Sequence, residues 1–312
     1  MLLFDVHTHI GLDLAFYLRG WWPYATSAVD LLAEMDANGI DQAVCFPFGV
    51  PCAFDPYAFA DHMTLDLQPD RVPFDRENQA LINEVQKFDT DSRLHVLAMF
   101  DPSRKVDEQI KNLQPLADKI AGLKLQGTLI KAPVADLLDG GKPLMQFAQQ
   151  HDMPVLIHTA IYDQDVWAQP ADCLKVAEAY PDVRFNLAHS HRFHEPTLRI
   201  AAQMPNVWVD CSAHIIHCNA ALENAAHVAK PSERVNADFT NPAAALQAVY
   251  DILGPSYLWG TDNPFMSWVD DSIFQICTYK AEADALHALP AAIKKSMASD
   301  APQAWLFGSK ES

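Results

Sequence analysis

The chain has 312 residues, half of them hydrophobic and a fifth charged, the balance of a soluble globular protein with one large core or two modest ones. A formal net charge of −18 argues against broad contact with nucleic-acid phosphates or an anionic membrane, and leaves a small molecule as the expected partner. Six scattered cysteines (Cys45, Cys52, Cys173, Cys211, Cys218 and Cys277) without a C-x-x-C do not make a disulfide framework. The opening "MLLFDVHTHI" lacks the charged start and sustained apolar run of a signal peptide, so the cytoplasm is the expected location.

Short apolar runs alternate with amphipathic segments. In chain order the expected strands are residues 2–9, 42–48, 94–100, 121–127, 154–160, 183–189, 207–213 and 257–265. Helical patterns lie between them, near 28–40, 76–89, 105–119, 142–151, 172–180, 195–204 and 241–253. In the first of these, Leu31, Leu32, Met35 and Ile40 mark one apolar face, and Gly39 supplies a stop. Eight strands alternating with helices predict an α/β fold, a parallel sheet closing into a (β/α)8 TIM barrel. The remainder after residue 266 reads as extra C-terminal helices, and the whole of 1–312 as one domain. Two segments, 49–75 and 214–240, are too long for turns and begin where strands end, so they are candidate lids.

The strand "DVHTH" puts His7 and His9 on one face, because residues i and i+2 of a strand point the same way. Two imidazoles inside a barrel are costly unless something pairs them. His158 ends strand five, His189 ends strand six, and Asp262 lies in "WGTDNPF" on strand eight. Around a closed barrel those ends converge, so the five side chains point to a divalent metal ion. Imidazoles with a carboxylate and no thiolate suit Zn2+, with Mn2+, Fe2+ or Co2+ as substitutes. Such an ion brings the pKa of water toward neutrality.

With "DVHTHIG", "AEMDANGIDQAV", "GLKLQG", "VLIHTA", "NLAH", "GTDNPF" and "APQAWLFG" in this order, the chain resembles the metal-dependent amidohydrolase superfamily. The similar branch is that of aminocarboxymuconate-semialdehyde decarboxylase and 2-pyrone-4,6-dicarboxylate lactonase. The resemblance implies a distorted barrel with one ion on His7, His9, His158 and Asp262. It implies that His189 polarises substrate or shuttles protons and that Asp262 doubles as a base. A homodimer is expected on the same ground. The expected activity is hydrolysis of a small carboxylate-bearing ester, lactone or amide by metal-activated water. The alternative is a lyase, a decarboxylase or hydratase acting on a small unsaturated or aromatic acid. A phosphoesterase that also opens with His-x-His would want a late Asp-x-His, which "GTDNPF" lacks.

The family usually follows its strand-six histidine with glycine-rich sequence; here the chain reads "HSHRFHEP". That adds His191, Arg192 and His194 at the mouth, or else a solvated loop. Arg192 is the first candidate to clamp a substrate carboxylate, since a guanidinium binds one bidentately. Arg19 is the second, with Trp21 and Trp22 beside it as a pocket wall or a packed contact. Lys124 on strand four is either a buried lysine satisfied by a carboxylate or, as in related amidohydrolases, a carbamylated bridge between two metals. His214 and His217, three residues apart, read as lid residues or as part of the site.

Overall fold

The computed structural model describes residues 1–49 and 71–308. Its frame is a sheet of eight parallel strands in chain order: β1 Phe4–His9, β2 Gln42–Phe46, β3 Leu94–Met99, β4 Gly122–Leu125, β5 Val155–Ile157, β6 Phe185–Leu187, β7 Val207–Asp210 and β8 Tyr257–Leu258. Every expected strand is present, and each is shorter than the apolar run that predicted it.

Closure comes from the residues that follow β8. Val6 N donates to Trp259 O (3.1 Å), Asp262 N to His7 O (2.8 Å) and His9 N to Asn263 O (2.7 Å). The buried Asp5 carboxylate clamps the same seam, accepting from Thr261 N at 3.0 Å and Thr261 Oγ1 at 2.6 Å. Gly260 lets the two segments meet: a Cβ there would lie 2.9 Å from His7 Cβ and 3.2 Å from His7 N. "DVHTH" and "GTDNPF" are thus two sides of one seam, which brings His7 and Asp262 together from opposite ends of the chain. Parallel strands covered by helices are apolar on both faces, and all six residues of β1 are buried.

The helices wrap this sheet: α1 Ala28–Asn38, α2 Asp75–Phe88, α3 Val106–Leu113, α4 Lys142–Gln150, α5 Pro170–Ala179, α6 Glu195–Ala201, α7 His214–Glu223 and α8 Pro242–Leu253. α1 opens with a capping box between Ser27 and Asp30 and ends at Gly39 in the left-handed conformation (φ 69°), the stop read from sequence. The helix expected over 105–119 breaks at Leu113 and continues as a 3-10 turn, Gln114–Lys119, where Pro115 lacks the N–H to extend it. After β8 come α9 Tyr279–His287, α10 Ala291–Lys295 and α11 Ala301–Phe307, the expected C-terminal additions. Two short ribbons, Gly11–Leu12 with Ala25–Thr26 and Trp268–Val269 with Phe274–Gln275, stand beside the mouth. Among the described residues no helix is long and apolar enough to cross a membrane.

Of the two candidate lids, 214–240 forms α7 and a run of turns. Most of 49–75, residues 50–70, lies outside the described residues.

Candidate metal centre

At the carboxyl ends of the strands, one donor atom each from His7, His9 and Asp262 lies within 4.8 Å of the others, all three side chains buried. Asp262 Oδ1 is 3.2 Å from His7 Nε2 and 3.2 Å from His9 Nε2. The outer ring nitrogens are held from behind: His7 Nδ1 donates to Asp210 Oδ2 (2.9 Å) and His9 Nδ1 to the Pro47 carbonyl (3.3 Å). Carboxylate and carbonyl oxygens only accept, so this arrangement places the protons on Nδ1 and turns both Nε2 atoms inward. In that tautomer His9 Nε2 presents a lone pair to Asp262 Oδ1, two acceptors facing each other. A cation reconciles them, and the residues therefore fit a divalent ion.

The charges agree. Burial alone would raise the Asp262 carboxyl, but His7, His9 and His189 hold it well below the usual carboxylate range. Burial lowers His9 to about 4. Burial also pulls on His7, yet the Asp210 and Asp262 carboxylates outweigh it and raise that ring above its ordinary value.

His158 stands beside the three, lining the same cavity. Its Nδ1 is 2.9 Å from His189 Nε2. Among the described residues His189 does not line the cavity; it sits behind His158, with Nδ1 2.8 Å from Ser212 Oγ and 3.9 Å from Asp262 Oδ2. Burial and then the Arg192 charge press both rings well below the ordinary histidine pKa, so both are neutral.

Arg192 lines the cavity, its Nε donating to Thr159 O (3.3 Å) and its Nη1 to His217 Nε2. His189 through Phe193 all have positive φ, between 45° and 65°, a left-handed turn that non-glycine residues adopt only at a cost. This is the local result of "HSHRF" standing where glycine would be easy, and it swings Arg192 toward the mouth. His217 joins the site. His214 does not line the cavity; its Nε2 meets Pro242 O at 2.9 Å. His191 and His194 both bond Thr197 Oγ1 at 3.0 Å and are structural partners of α6.

Arg19 lies 4.4 Å over the Trp21 ring and is not among the described residues that line the cavity; Trp21 packs on Phe16 at 5.4 Å. Lys124 is fully buried, with Nζ 3.4 Å from His7 Nε2 and 4.5 Å from the Phe46 ring centre. Among the described residues no carboxylate lies within ion-pair distance of it, contrary to the expected pairing. Burial takes its pKa down to about 7.

Three residues escaped the sequence reading: His227, which lines the cavity, and Asp210 and Ser212, which stand behind the histidines. The signal for Asp210 was present, a carboxylate in the apolar run "VWVDCS", the same anomaly that exposed "DVHTH".

The cavity has a volume of about 390 Å3, within the range of small-molecule sites. Its apolar lining includes Leu129, Ile216, Phe265, Trp268 and Ile273, with Phe265 packed 4.9 Å from the His9 ring.

A crystal structure of an amidohydrolase from Burkholderia multivorans with bound zinc superposes with a TM-score of 0.64 at 14% identity, covering 98% of this chain and 99% of that one. A 2,6-dihydroxybenzoate decarboxylase from Rhizobium gives 0.63 at 14%, covering 98% of each. A probable 2-pyrone-4,6-dicarboxylic acid hydrolase from Acinetobacter baumannii, with citric acid bound, gives 0.60 at 16%, covering 98% of this chain and 99% of that one. No curated protein matches the sequence. The family model described as amidohydrolase matches residues 4–308, and the chain belongs to that family.

Proposed function

We propose that this protein is a metal-dependent decarboxylase of a small unsaturated or aromatic carboxylic acid. The observation that carries the reading is Arg192. It is the one permanently cationic side chain among the described residues lining a cavity of apolar groups and imidazoles, in which Asp262 faces the histidines and Asp165 is already bonded to Thr128 Oγ1, Trp167 N and Ala168 N. Such a lining selects an apolar body bearing a carboxylate.

His7, His9 and Asp262, with His158, would hold one divalent ion, Zn2+ first and Mn2+, Fe2+ or Co2+ as substitutes. When bound, the ion supplies Lewis-acid polarisation of a substrate oxygen and a lowered pKa for water. Arg192 binds the carboxylate, and Phe265 and Trp268 orient the apolar body. Loss of carbon dioxide consumes one proton, which ends on the carbon that carried the carboxylate. Asp262 Oδ2 would carry it, with His189, whose Nδ1 is 3.9 Å away, as its exchange partner. The Rhizobium structure is itself named as a decarboxylase.

Hydrolysis of a carboxylate-bearing ester, lactone or amide, the first expectation from sequence, is the second reading. It is favoured by the same Asp262 Oδ2, which has no hydrogen bond among the described residues and can act as a base toward water. The Acinetobacter structure is named as a probable hydrolase.

One assay separates the two. Protein loaded with Zn2+ or Mn2+ is offered hydroxybenzoates and unsaturated acids with carbon dioxide release followed, and lactones and esters with acid release followed. Carbon dioxide from an acid, abolished in Arg192→Ala, supports the first reading. Acid release from a lactone with no carbon dioxide from any acid would overturn it.

A further inference from the structure

Asp210 is fully buried and collects donors on both oxygens. Oδ2 accepts from Asn186 Nδ2 and His7 Nδ1, each at 2.9 Å. Oδ1 accepts from His189 N (3.1 Å), Ser212 N (3.0 Å) and Ser212 Oγ (2.5 Å). The serine proton is therefore committed to Asp210. Toward the His189 ring, 2.8 Å away, Ser212 Oγ can only accept. The Ser212 carbonyl, 3.1 Å from the same ring nitrogen, can only accept too. Both fix the proton of His189 on Nδ1 and leave a lone pair on Nε2. That lone pair faces His158 Nδ1 at 2.9 Å, so His158 is the donor and its own Nε2 is left bare, on a ring that lines the cavity.

We propose that Asp210 and Ser212 are positioning residues that set proton placement on two metal-binding histidines at once, on His7 directly and on His158 through Ser212 and His189. The inference rests on the metal-centre reading for its purpose, but not for its geometry. One buried carboxylate thereby presents an inward Nε2 lone pair from β1 and another from β5. Ligands on separate strands are oriented together, and metal affinity depends on side chains that never touch the ion.

A plainer role is available, in which the Asp210 carboxylate only ties β6 to β7 through its backbone donors. Ser212→Ala separates the two, because it keeps the bonds from His189 N, Ser212 N and Asn186 and removes only the hydroxyl link. The readout is the tautomer of His158 and His189 in the full-length chain stripped with chelator, from nitrogen–proton correlations of the imidazoles. It is paired with Zn2+ affinity by competition against a chromophoric chelator. In the unsubstituted protein both rings should carry the proton on Nδ1 alone. Ser212→Ala loses the nearer acceptor at 2.8 Å and keeps the Ser212 carbonyl at 3.1 Å, so a minor fraction of the other tautomer should appear on both rings, with Zn2+ affinity weaker by up to about tenfold; Asp210→Asn should weaken it roughly 10- to 100-fold. Unchanged tautomers in Ser212→Ala, with affinity within about twofold, overturn the inference. Should the unsubstituted protein take no Zn2+, the metal-centre reading falls, while the tautomers measured without metal still decide the proton placement.

Discussion

Glu282 lies on α9 with 1% of its surface exposed. Its Oε1 accepts from Ile215 N at 3.0 Å, at the start of α7; its Oε2 has no partner among the described residues. Burial first, and then the like charges of Asp5 and Asp262, push its pKa up to about 8 from an ordinary 4.5. The carboxyl is thus held neutral in the fold and charged in the unfolded chain at pH 7. A raised folded pKa means that its contribution is fully present below about pH 4.5 and is lost as pH rises through about 8. The whole shift corresponds to a ceiling of roughly 5 kcal/mol, of which about 3 kcal/mol is lost between pH 4.5 and 7. With an unfolding entropy of roughly 2.1 cal/mol/K per residue, that loss is about 5 °C in Tm. Glu282→Gln keeps the acceptor for Ile215 N and cannot ionise. Thermal and urea unfolding of both proteins, metal-free, at pH 4.5, 6, 7 and 9 measures the difference. The variant should gain steadily on the parent as pH rises and level off above about pH 8. Parallel stability curves across this range would refute the reasoning and mean that the carboxylate finds a counter-charge when it ionises.

At the seam, Gly260→Ala should cost about 1–3 kcal/mol by overpacking and also lower metal content, because the new Cβ meets His7 Cβ and N; denaturation with metal analysis tests both effects. Replacing His7 or Asp262 by alanine should remove most of the bound metal while the barrel still melts cooperatively. Unchanged metal by elemental analysis would end the assignment. Because the Asp210 and Asp262 carboxylates raise His7 above its ordinary value, a larger share of that ring carries a second proton on Nε2 at a given pH, and metal uptake displaces it. Affinity should therefore rise with pH until that proton is lost and then level off, with measurable proton release in weakly buffered titrations. A flat profile would contradict the raised His7 pKa.

The barrel was legible in the sequence because its strands are buried on both faces and its helices carry apolar stripes. His7, His9 and Asp262 were legible because buried polar residues in such runs demand a partner. What lay behind them was not. Asp210 stands out as a carboxylate in an apolar strand, but its partner on β1 is some 200 residues away, so spacing does not say what it pairs with. The roles of His189 and His158 depend on which ring nitrogen faces which, a matter of side-chain geometry that spacing does not encode. Arg192 ranks ahead of Arg19 in the sequence as a carboxylate clamp, and the left-handed backbone between His189 and Phe193 is what brings Arg192 to the cavity, which Arg19 does not line.

That left-handed turn has a wider consequence. Five consecutive non-glycine residues there forgo roughly 1–2 kcal/mol each relative to ordinary backbone, and the turn persists because its side chains are anchored: His189 on Ser212, Ser190 on Tyr257, His191 on Thr197, Arg192 on Thr159. Glycine would relax the backbone and discard those anchors, so fold and chemistry pull the same five positions in opposite directions. The turn thus holds backbone strain against its anchors. Mild heat, low denaturant or a destabilising change far away should release it first, and the protein should lose its grip on a carboxylate while its strands remain intact.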